Sequence, residues 1–263
     1  MKSHIIKLGG SVLTGKGEIP SVDLKNTKSI IQELSSYYHK CIFIHGTGNY
    51  GKPPALKYGY YKSGIIKKKN RHIALKIKQS LQQLNLQVLK LFLKADIPAA
   101  AINIDQIYDS KRQLIDAIKL KDALKLLELQ RLFPVFYGDL VELPNGNFKV
   151  ISSDEIVLVL SKTTQPKSVI FLTNVDGVYL KNEVSKKGAQ YVITNELNSK
   201  NIQCLYINPN DTKDVSGGMS KKAKTSLQIS KYCKSCFIGN GYTPGILSGF
   251  LADKKVRGTY VNT

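Results

Sequence analysis

Lysine and glycine residues near the N-terminus have the types and spacing that bind phosphate. Lys7 lies in a short apolar run, and Gly9, Gly10 and Ser11 follow it directly. Glycine lets the backbone approach phosphate oxygens, successive N–H groups can then point at them, and a lysine adds positive charge. The segment has neither the GxxxxGK[ST] pattern of the Walker P-loop nor GxGxxG. Taken alone, it fits an anion site and a simple tight turn equally well.

A second glycine-rich segment, HGTGNYGK, runs from His45 to Lys52. Three glycines within six residues after an apolar run again favour an anion site, although a flexible loop is the simpler interpretation. Because two such segments each follow a predicted strand, an anion site is favoured over a flexible loop.

A carboxylate follows at the predicted start of a helix, in the run from Ser152 to Glu155. Asp154 could serve only as a helix cap, or it could orient lysine ammonium groups in a basic site. The sequence gives these two interpretations equal weight.

The strongest local pattern joins TNVDGVY, residues 173–179, with DVSGGMSKK, residues 214–222. The second run places a glycine pair at a predicted helix N-terminus, where the helix dipole attracts anions. A lysine one turn into that helix would point back toward the bound phosphates.

Alternating strands and helices must position these segments. Apolar runs predict strands at 4–8, 41–45, 99–104, 134–137, 168–172, 235–238 and 258–261. Apolar spacing and caps predict helices at 23–38, 71–94, 116–128, 153–162 and 217–232, and Asn145-Gly146 predicts a hairpin turn. The pattern predicts an α/β fold with a mainly parallel open sheet sandwiched between helices. Ligands in such sheets bind beyond the carboxyl ends of the strands.

Composition narrows the class of protein. The chain has 263 residues with 42% hydrophobic content, and no apolar run is long enough to span a bilayer. The N-terminal apolar stretch is too short for a signal sequence, so we expect a cytoplasmic protein. The net charge of +20 is spread along the chain without a nucleic-acid motif, so we expect anionic small substrates rather than nucleic acid. Cys233 and Cys236 form a single CxxC, which we interpret as structural.

The order of these segments resembles the amino acid kinase superfamily over essentially the full length of the chain. The matching segments are 7–16, 45–52, Gly138-Asp139, 153–156, 173–179 and 214–222. Within the superfamily, the chain is similar to isopentenyl phosphate kinases and the related fosfomycin kinases. The resemblance implies one domain, 1–263, with an acceptor-binding lobe at about 1–165 and a nucleotide-binding lobe at about 166–263.

The resemblance also implies roles for individual residues. Lys7 and Lys222 would contact the transferring phosphoryl group from opposite sides, Lys16 would lie near the β- and γ-phosphates, and Asp154 would hold the two main lysines. The implied ATP-binding set is Gly9, Gly10, Ser11, Gly48, Asn174, Asp176, Gly217 and Lys221, where Lys221 is a close alternative to Lys222. The implied substrate-binding set is Gly46, Thr47, Gly51, Gly138, Asp139 and Ser153, and no residue is assigned to a metal.

One position departs from the pattern of isopentenyl phosphate kinases, which reads Gly-x-Gly-Ser-Phe-Gly-His in the second glycine segment. Lys52 stands where that family has a histidine that binds the acceptor phosphate. Lysine keeps a hydrogen-bond donor and a positive charge, so an anionic acceptor is still expected. Because lysine is longer and more flexible, the identity of the acceptor stays open between isopentenyl phosphate, another phosphate monoester, a small phosphonate and a carboxylate.

The resemblance implies an ATP-dependent kinase that phosphorylates a small anionic acceptor, with isopentenyl phosphate or a similar phosphate monoester preferred. A deprotonated acceptor needs no general base, so lysines and Mg²⁺ would neutralise charge during in-line transfer. The alternatives are a phosphonate kinase of the fosfomycin type, a carboxylate kinase, and a non-catalytic nucleotide-binding protein. Relatives are commonly homodimers, and an isoprenoid tail would need an apolar pocket, for which Ile73, Ile77, Leu81 and Leu84 are candidates.

Overall fold

The computed structural model describes residues 3–15, 17, 19–60, 63–182, 190–206 and 218–263, without the side chains of Lys52, Asn182 and Gln190. The strands are β1 (His4–Leu8), β2 (Cys41–His45), β3 (Ile65–Ile66), β4 (Ala99–Ala101), β5 (Tyr108–Asp109), β6 (Leu114–Ile115), β7 (Phe133–Tyr137), β8 (Asp139–Glu142), β9 (Phe148–Ile151), β10 (Ser168–Thr173), β11 (Val178–Asn182), β12 (Gln190–Thr194), β13 (Glu196–Leu197), β14 (Ser235–Asn240) and β15 (Thr259–Val261). The helices are α1 (Gly10–Leu13), α2 (Leu24–Leu34), α3 (Gly48–Lys57), α4 (Arg71–Leu93), α5 (Ile104–Ile107), α6 (Ala117–Leu129), α7 (Ser153–Thr164), α8 (Gly218–Ser230) and α9 (Ile246–Leu251).

The centre of the fold is an eight-stranded sheet in the order β13-β15-β14-β10-β1-β2-β7-β4. The six strands from β14 to β4 are parallel, whereas β15 runs antiparallel to β14. Strands from before residue 166 fill one half of the sheet, and strands from after it fill the other. The predicted α/β class with a mainly parallel sheet is confirmed.

Helices cover both faces of the sheet, which explains why its strands are continuous apolar runs. Side chains alternate along β1, so that Ile6 and Leu8 join a core with α2 and α4, while Ile5 joins a second core with α7. All five residues of β1 are buried, including Lys7. None of the helices in the described part of the chain combines the length and apolarity needed to cross a bilayer.

The main departure from the predicted elements is α3, which the sequence had placed in a loop. Gly48 begins this helix, and Pro53 and Pro54 lie inside it. Both residue types disfavour helices, Pro by about 3 kcal/mol in a helix interior. The helix nevertheless buries Tyr50 and Ala55 in the core beside α4. Tertiary packing therefore outweighs local propensity in this segment.

Smaller departures occur at chain reversals. The predicted strand 99–104 ends at Ala101, because Asn103 caps the short helix α5. The Asn145-Gly146 hairpin is confirmed between β8 and β9, where Gly146 adopts a φ of 78°. The hairpins β5–β6 and β11–β12 had no clear sequence signal.

Candidate functional site

A cleft of about 650 Å³ opens at the carboxyl edge of the parallel strands. Segments that follow β1, β2, β7 and β10 line it, together with the first turns of α7 and α8. Topology places them together because parallel strands all end at the same edge of the sheet.

A carboxylate and two ammonium groups meet on one wall of this cleft. Lys7 Nζ lies 3.0 Å from Asp154 Oδ1, and Lys222 Nζ lies 3.4 Å from Asp154 Oδ2. Among the described residues, Oδ1 accepts no aligned hydrogen bond, so its contact with Lys7 is ionic. Lys222 Nζ also lies 5.6 Å from the centre of the Phe171 ring. We call Lys7, Asp154 and Lys222 the lysine pair site.

Burial changes the protonation equilibria of this site. Removal from water lowers the pKa of the Lys7 ammonium to about 8, and the nearby charge of Lys222 acts in the same direction against the attraction of Asp154. Burial alone would raise the pKa of the Asp154 carboxyl. The positive charges of Lys222 and Lys7 outweigh that effect and hold its pKa well below the usual range. The site therefore keeps one fixed negative charge between two cations near neutral pH, and it can neutralise an anion with several oxygens.

The two predicted glycine segments touch each other through their backbones. A methyl group at Gly46 would lie 2.6 Å from the backbone nitrogen of Gly10, and one at Gly10 would overlap the backbone of Gly48. Gly48 also has a φ of 46°, which disfavours any side chain. Glycine is therefore required here for the close approach of two segments as well as for access to an anion.

Asp139 lies in the cleft wall, but both of its carboxylate oxygens are engaged by the protein. Oδ1 accepts a hydrogen bond from the Leu140 backbone N–H at 2.8 Å, and Oδ2 lies 3.1 Å from Lys78 Nζ. Lys78 also donates to the Leu140 carbonyl oxygen and to Asp105, each at 2.7 Å. Burial raises the pKa of the Asp139 carboxyl despite the nearby Lys78.

One end of the cleft is apolar. Its lining side chains come from α3, α4, β8, β9 and the turn after α3, and they are Ala55, Tyr60, Ile77, Leu81, Leu140 and Val150. Ile77 and Leu81 are two of the four residues expected to form an apolar pocket, whereas Ile73 and Leu84 pack in the core.

The other end of the cleft is aromatic and polar. The Tyr191 and Tyr206 rings stack with centres 3.5 Å apart, and Tyr179 lies with them in the lining. Ser11 Oγ donates to Asn174 Oδ1 at 3.1 Å and so connects the first glycine segment with the loop after β10.

Family membership follows from residues 2–240, which match the model of the amino acid kinase family. The chain belongs to the amino acid kinase family.

Curated members of the amino acid kinase family extend this comparison to most of the chain. The isopentenyl phosphate kinase of Methanothermobacter thermautotrophicus is 29% identical over 265 residues, covering 98% of each chain. That of Methanocaldococcus jannaschii is 29% identical over 248 residues, covering 90% of each. A solved structure described as an isopentenyl phosphate kinase has 27% identity and a TM-score of 0.76, covering 98% of this chain and 99% of that one. The protein is therefore a small-molecule kinase, and a nucleotide is one of its substrates.

Most of the residues that the sequence proposed for a kinase site come together in the cleft. The lining includes Lys7, Gly9, Gly10, Ser11, Gly46, Thr47, Gly48, Gly51, Gly138, Asp139, Ser153, Asp154, Asn174, Lys221 and Lys222. Lys222 is half-buried against Asp154, whereas its alternative Lys221 is exposed. Lys16 and Gly217 lie outside the described residues, and so does the side chain of Lys52.

Asp176 is the one described candidate that does not line the cleft. Arg257 Nη2 lies 2.9 Å from its Oδ2, and Asn240 donates to its Oδ1 at 2.7 Å. A direct contact between Asp176 and a nucleotide stays a prediction, and this geometry gives the carboxylate other partners.

Sequence reasoning assigned no role to four residues in or beside the cleft, namely Lys78, Asn49, Tyr191 and Tyr206. Lys78 is one of several lysines along α4, and nothing in its spacing singles it out. Asn49 lies in a segment that the sequence predicts as a loop, so its place in the first turn of α3 has no local signal. The stacked Tyr191 and Tyr206 are distant in sequence, so only the tertiary structure brings them together.

Proposed function

We propose that this kinase transfers the γ-phosphoryl group of Mg-ATP to isopentenyl phosphate. The observation that carries the proposal is a single cleft that joins the lysine pair site to an apolar end. Isopentenyl phosphate has a charged phosphate on a short branched hydrocarbon chain, and these two parts match the two parts of the cleft. The curated relatives named isopentenyl phosphate kinase support the same acceptor.

The apolar end favours this acceptor over a small polar phosphonate. Ile77 and Leu81 are less than 5% exposed, and Gly51 lies between Thr47 and Leu81. A hydrocarbon tail that leaves water to pack against this lining gains about 25 cal/mol for each Å² of its own apolar surface that is buried. A phosphonate without such a tail has no comparable apolar surface to bury there.

The lysine pair site would act on the transferring group by charge neutralisation. Lys7 and Lys222 hold ammonium groups on either side of Asp154, so they can contact phosphoryl oxygens while Asp154 fixes their positions. The acceptor phosphate is already anionic and needs no base to remove a proton. Catalysis then consists of positioning and electrostatic stabilisation, as in other phosphoryl transfers.

The nucleotide would lie along Gly9, Gly10 and Ser11 and the loop that carries Asn174, at the aromatic end of the cleft. Within the described part of the chain, no cluster of three or more His, Cys, Asp or Glu side chains could hold a metal ion. In this proposal Mg²⁺ enters as part of Mg-ATP, held by phosphate oxygens and water, as is usual for this ion.

The remaining roles extend the same proposal. Lys16 would contact the β- and γ-phosphates, Lys52 the acceptor phosphate, and Asp176 and Gly217 the nucleotide side. The half of the sheet built before residue 166 would carry the acceptor, and the other half would carry the nucleotide.

We also propose that the kinase works in the cytoplasm, where Mg-ATP is supplied, as a homodimer without a nucleic-acid partner. Leu75, Leu86 and Leu93 are each about half exposed along one side of α4, which is consistent with an interface between copies. Sedimentation equilibrium would measure the mass in solution, and a monomer at micromolar concentration would rule out the dimer.

The test of the proposed reaction is an ADP-release assay with Mg-ATP and a panel of acceptors. The panel contains isopentenyl phosphate, dimethylallyl phosphate, fosfomycin, other small phosphonates, acetylglutamate and a blank without acceptor. We expect the highest kcat/KM on isopentenyl phosphate. Turnover on a phosphonate or carboxylate with none on isopentenyl phosphate would reject the acceptor but keep the kinase chemistry. ATP binding without turnover on any acceptor would favour a nucleotide-binding role.

A further inference from the structure

His45, the last residue of β2, has a fully buried side chain that makes three contacts. Its Nδ1 lies 3.0 Å from the carbonyl oxygen of Gly46, and its Nε2 lies 3.2 Å from Asn85 Oδ1 on α4. The ring also stacks on that of Tyr137, with centres 5.6 Å apart and planes inclined by 11°. His45 does not line the cleft, whereas Gly46 does, so the ring lies directly behind the second glycine segment.

His45 and Asn85 form a polar pair inside an otherwise apolar core. The other residues that α4 buries are apolar, and they pack with Phe43, two residues before His45. Burying polar groups costs free energy that only their hydrogen bonds recover. Apolar side chains would pack here without that cost, so packing alone does not explain the pair.

The contacts of the ring determine where its proton lies. Burial lowers the pKa of the His45 imidazole, against hydrogen bonds to Gly46 and Asn85 that raise it, so the ring is neutral near pH 7. A carbonyl oxygen only accepts, so the contact with Gly46 requires the proton on Nδ1. Nε2 is then an acceptor, and a half-turn of the Asn85 amide, which leaves its shape unchanged, presents Nδ2 to it.

The contact with His45 sets the direction of the peptide between Gly46 and Thr47. The N–H of Gly46 is also fixed, because it donates to the Leu8 carbonyl oxygen at 2.9 Å. In a planar trans peptide the carbonyl oxygen and the following N–H point in opposite directions. Since the Gly46 carbonyl oxygen faces the buried ring, the Thr47 N–H faces the cleft that Gly46 and Thr47 line.

The position of Thr47 indicates which phosphate this N–H would meet. On one side, a methyl group at Gly10 would lie 3.3 Å from the Thr47 nitrogen. On the other side, Gly51 lies between the Thr47 side chain and Leu81 of the apolar end. The N–H therefore lies between the segment proposed for the nucleotide and the end proposed for the acceptor tail, where the phosphoryl group would pass.

We propose that His45 is a positioning residue for phosphoryl transfer, which holds the Gly46 carbonyl oxygen away from the cleft and so directs the Thr47 N–H at the transferring group. This inference rests on the proposed function for the presence of that group. His45 touches no substrate in this assignment, because its ring is buried and its nitrogens contact Gly46 and Asn85. A fixed N–H aimed at developing negative charge is a preorganised donor that stabilises the transition state.

The kinetic test compares two amide variants that differ in where they place a donor. The side-chain nitrogen of His45→Asn can occupy the place of Nδ1, whereas that of His45→Gln reaches the place of Nε2. With Mg-ATP and the preferred acceptor, we expect kcat to fall about 100-fold in His45→Gln and no more than about 10-fold in His45→Asn. The KM for Mg-ATP should stay near that of the unaltered protein. Equal losses of kcat in the two variants would overturn the proposal.

His4→Gln is the matched control for the loss of a buried histidine. His4 is also buried, and its Nδ1 also has a partner, Ser168 Oγ at 2.7 Å. It begins β1 and therefore lies at the opposite edge of the sheet from the cleft. We expect kcat of His4→Gln to stay near that of the unaltered protein. A fall as large as that of His45→Gln would attribute both to general destabilisation and would overturn the proposal.

Nitrogen NMR of protein with labelled histidine rings tests the contact without any turnover. The chain has four histidines, and the signals of His45 are those that disappear in His45→Gln. We expect a neutral ring with its proton on Nδ1 near neutral pH. A proton on Nε2, or a charged ring, would overturn the inference. If no acceptor is turned over, the proposed function fails, while the spectrum still decides whether His45 holds the Gly46 carbonyl oxygen.

Discussion

Asp154 determines the electrostatic state of the cleft at the scale of single residues. It lies in the first turn of α7, yet the helix cap is Ser152, whose Oγ accepts from the Glu155 N–H at 3.1 Å. The carboxylate is therefore available to Lys7 and Lys222. Of the two interpretations that the sequence left open, the geometry supports the one in which Asp154 orients lysines.

Removal of one member of the lysine pair site should abolish most of the activity without unfolding the protein. We expect Lys222→Ala to lower kcat about 100- to 1,000-fold, since it removes a charge that stabilises the transition state. Lys224→Ala is the matched control, because Lys224 is exposed on the same helix and does not line the cleft. Steady-state kinetics with a thermal melt would check both, and near-normal turnover of Lys222→Ala would reject its role.

The lowered pKa of Lys7 predicts that the proposed reaction has an alkaline limit. Only the protonated ammonium neutralises phosphate, and burial brings its pKa to about 8 in the free protein. We therefore expect kcat/KM to fall as the pH rises through about 8. The Lys7→Arg variant should show no such fall between pH 8 and 10, because arginine stays protonated. Its kcat/KM can be lower than that of the unaltered protein at every pH. A flat profile up to pH 10 in the unaltered protein would contradict the assignment.

Among elements, α4 joins the apolar end of the cleft to a buried charge. Ile77 faces the cleft, and the next residue, Lys78, reaches Asp139 and Asp105. The side chain of Asp139 is 1% exposed, so its charge depends on this partner. Lys78 thus neutralises the buried charge of Asp139 and stabilises this part of the cleft wall.

Loss of Lys78 should destabilise the fold more than it changes the chemistry. Lys78→Met leaves a buried carboxylate without its cation, a change that typically costs about 3–5 kcal/mol. Urea denaturation would measure the free energy of unfolding, with Lys76→Met as an exposed control on the same helix. Adding Asp139→Asn should recover part of the loss. A loss no larger than that of the control would show that Asp139 does not rely on Lys78.

Helices and strands whose formation depends on neighbouring residues were predicted well, whereas those that depend on tertiary packing were not. Strands β1, β2 and β10 were predicted within a residue, because strands buried on both faces are continuous apolar runs. The start of α7 was predicted from its cap residues. Helix α3 was missed because its glycines and prolines indicate a loop, and only its packing on α4 explains it.

For the whole molecule, the sequence predicted the edge at which the site lies but not the order of the strands. Alternating elements place the glycine segments after β1 and β2 at the carboxyl ends of parallel strands, so the cleft could be inferred. The pairing of β1 with both β2 and β10 depends on long-range contacts, which local patterns do not encode. The contacts of Lys78 with Asp139, and of His45 with Asn85, are long-range for the same reason.

The net charge of +20 should accelerate the arrival of anionic substrates. We expect kcat/KM for the acceptor to fall several-fold as the salt concentration rises from about 0.02 to 0.3 M, since salt screens charges beyond about 8 Å at physiological ionic strength. The kcat at saturation should change much less, because the lysine pair site is buried. A kcat/KM independent of salt would show that the surface charge does not steer substrates.

The apolar end and the lysine pair site share no element. The first is built by α3, α4, β8 and β9, and the second by β1, α7 and α8. Mutations that reshape the apolar end at Ile77 or Leu81 can therefore accumulate without disturbing the lysine pair site. Because the two regions are separate, acceptor specificity can change without loss of the lysine pair site. Helix α4 is therefore the element to mutate when the acceptor specificity is altered by directed evolution.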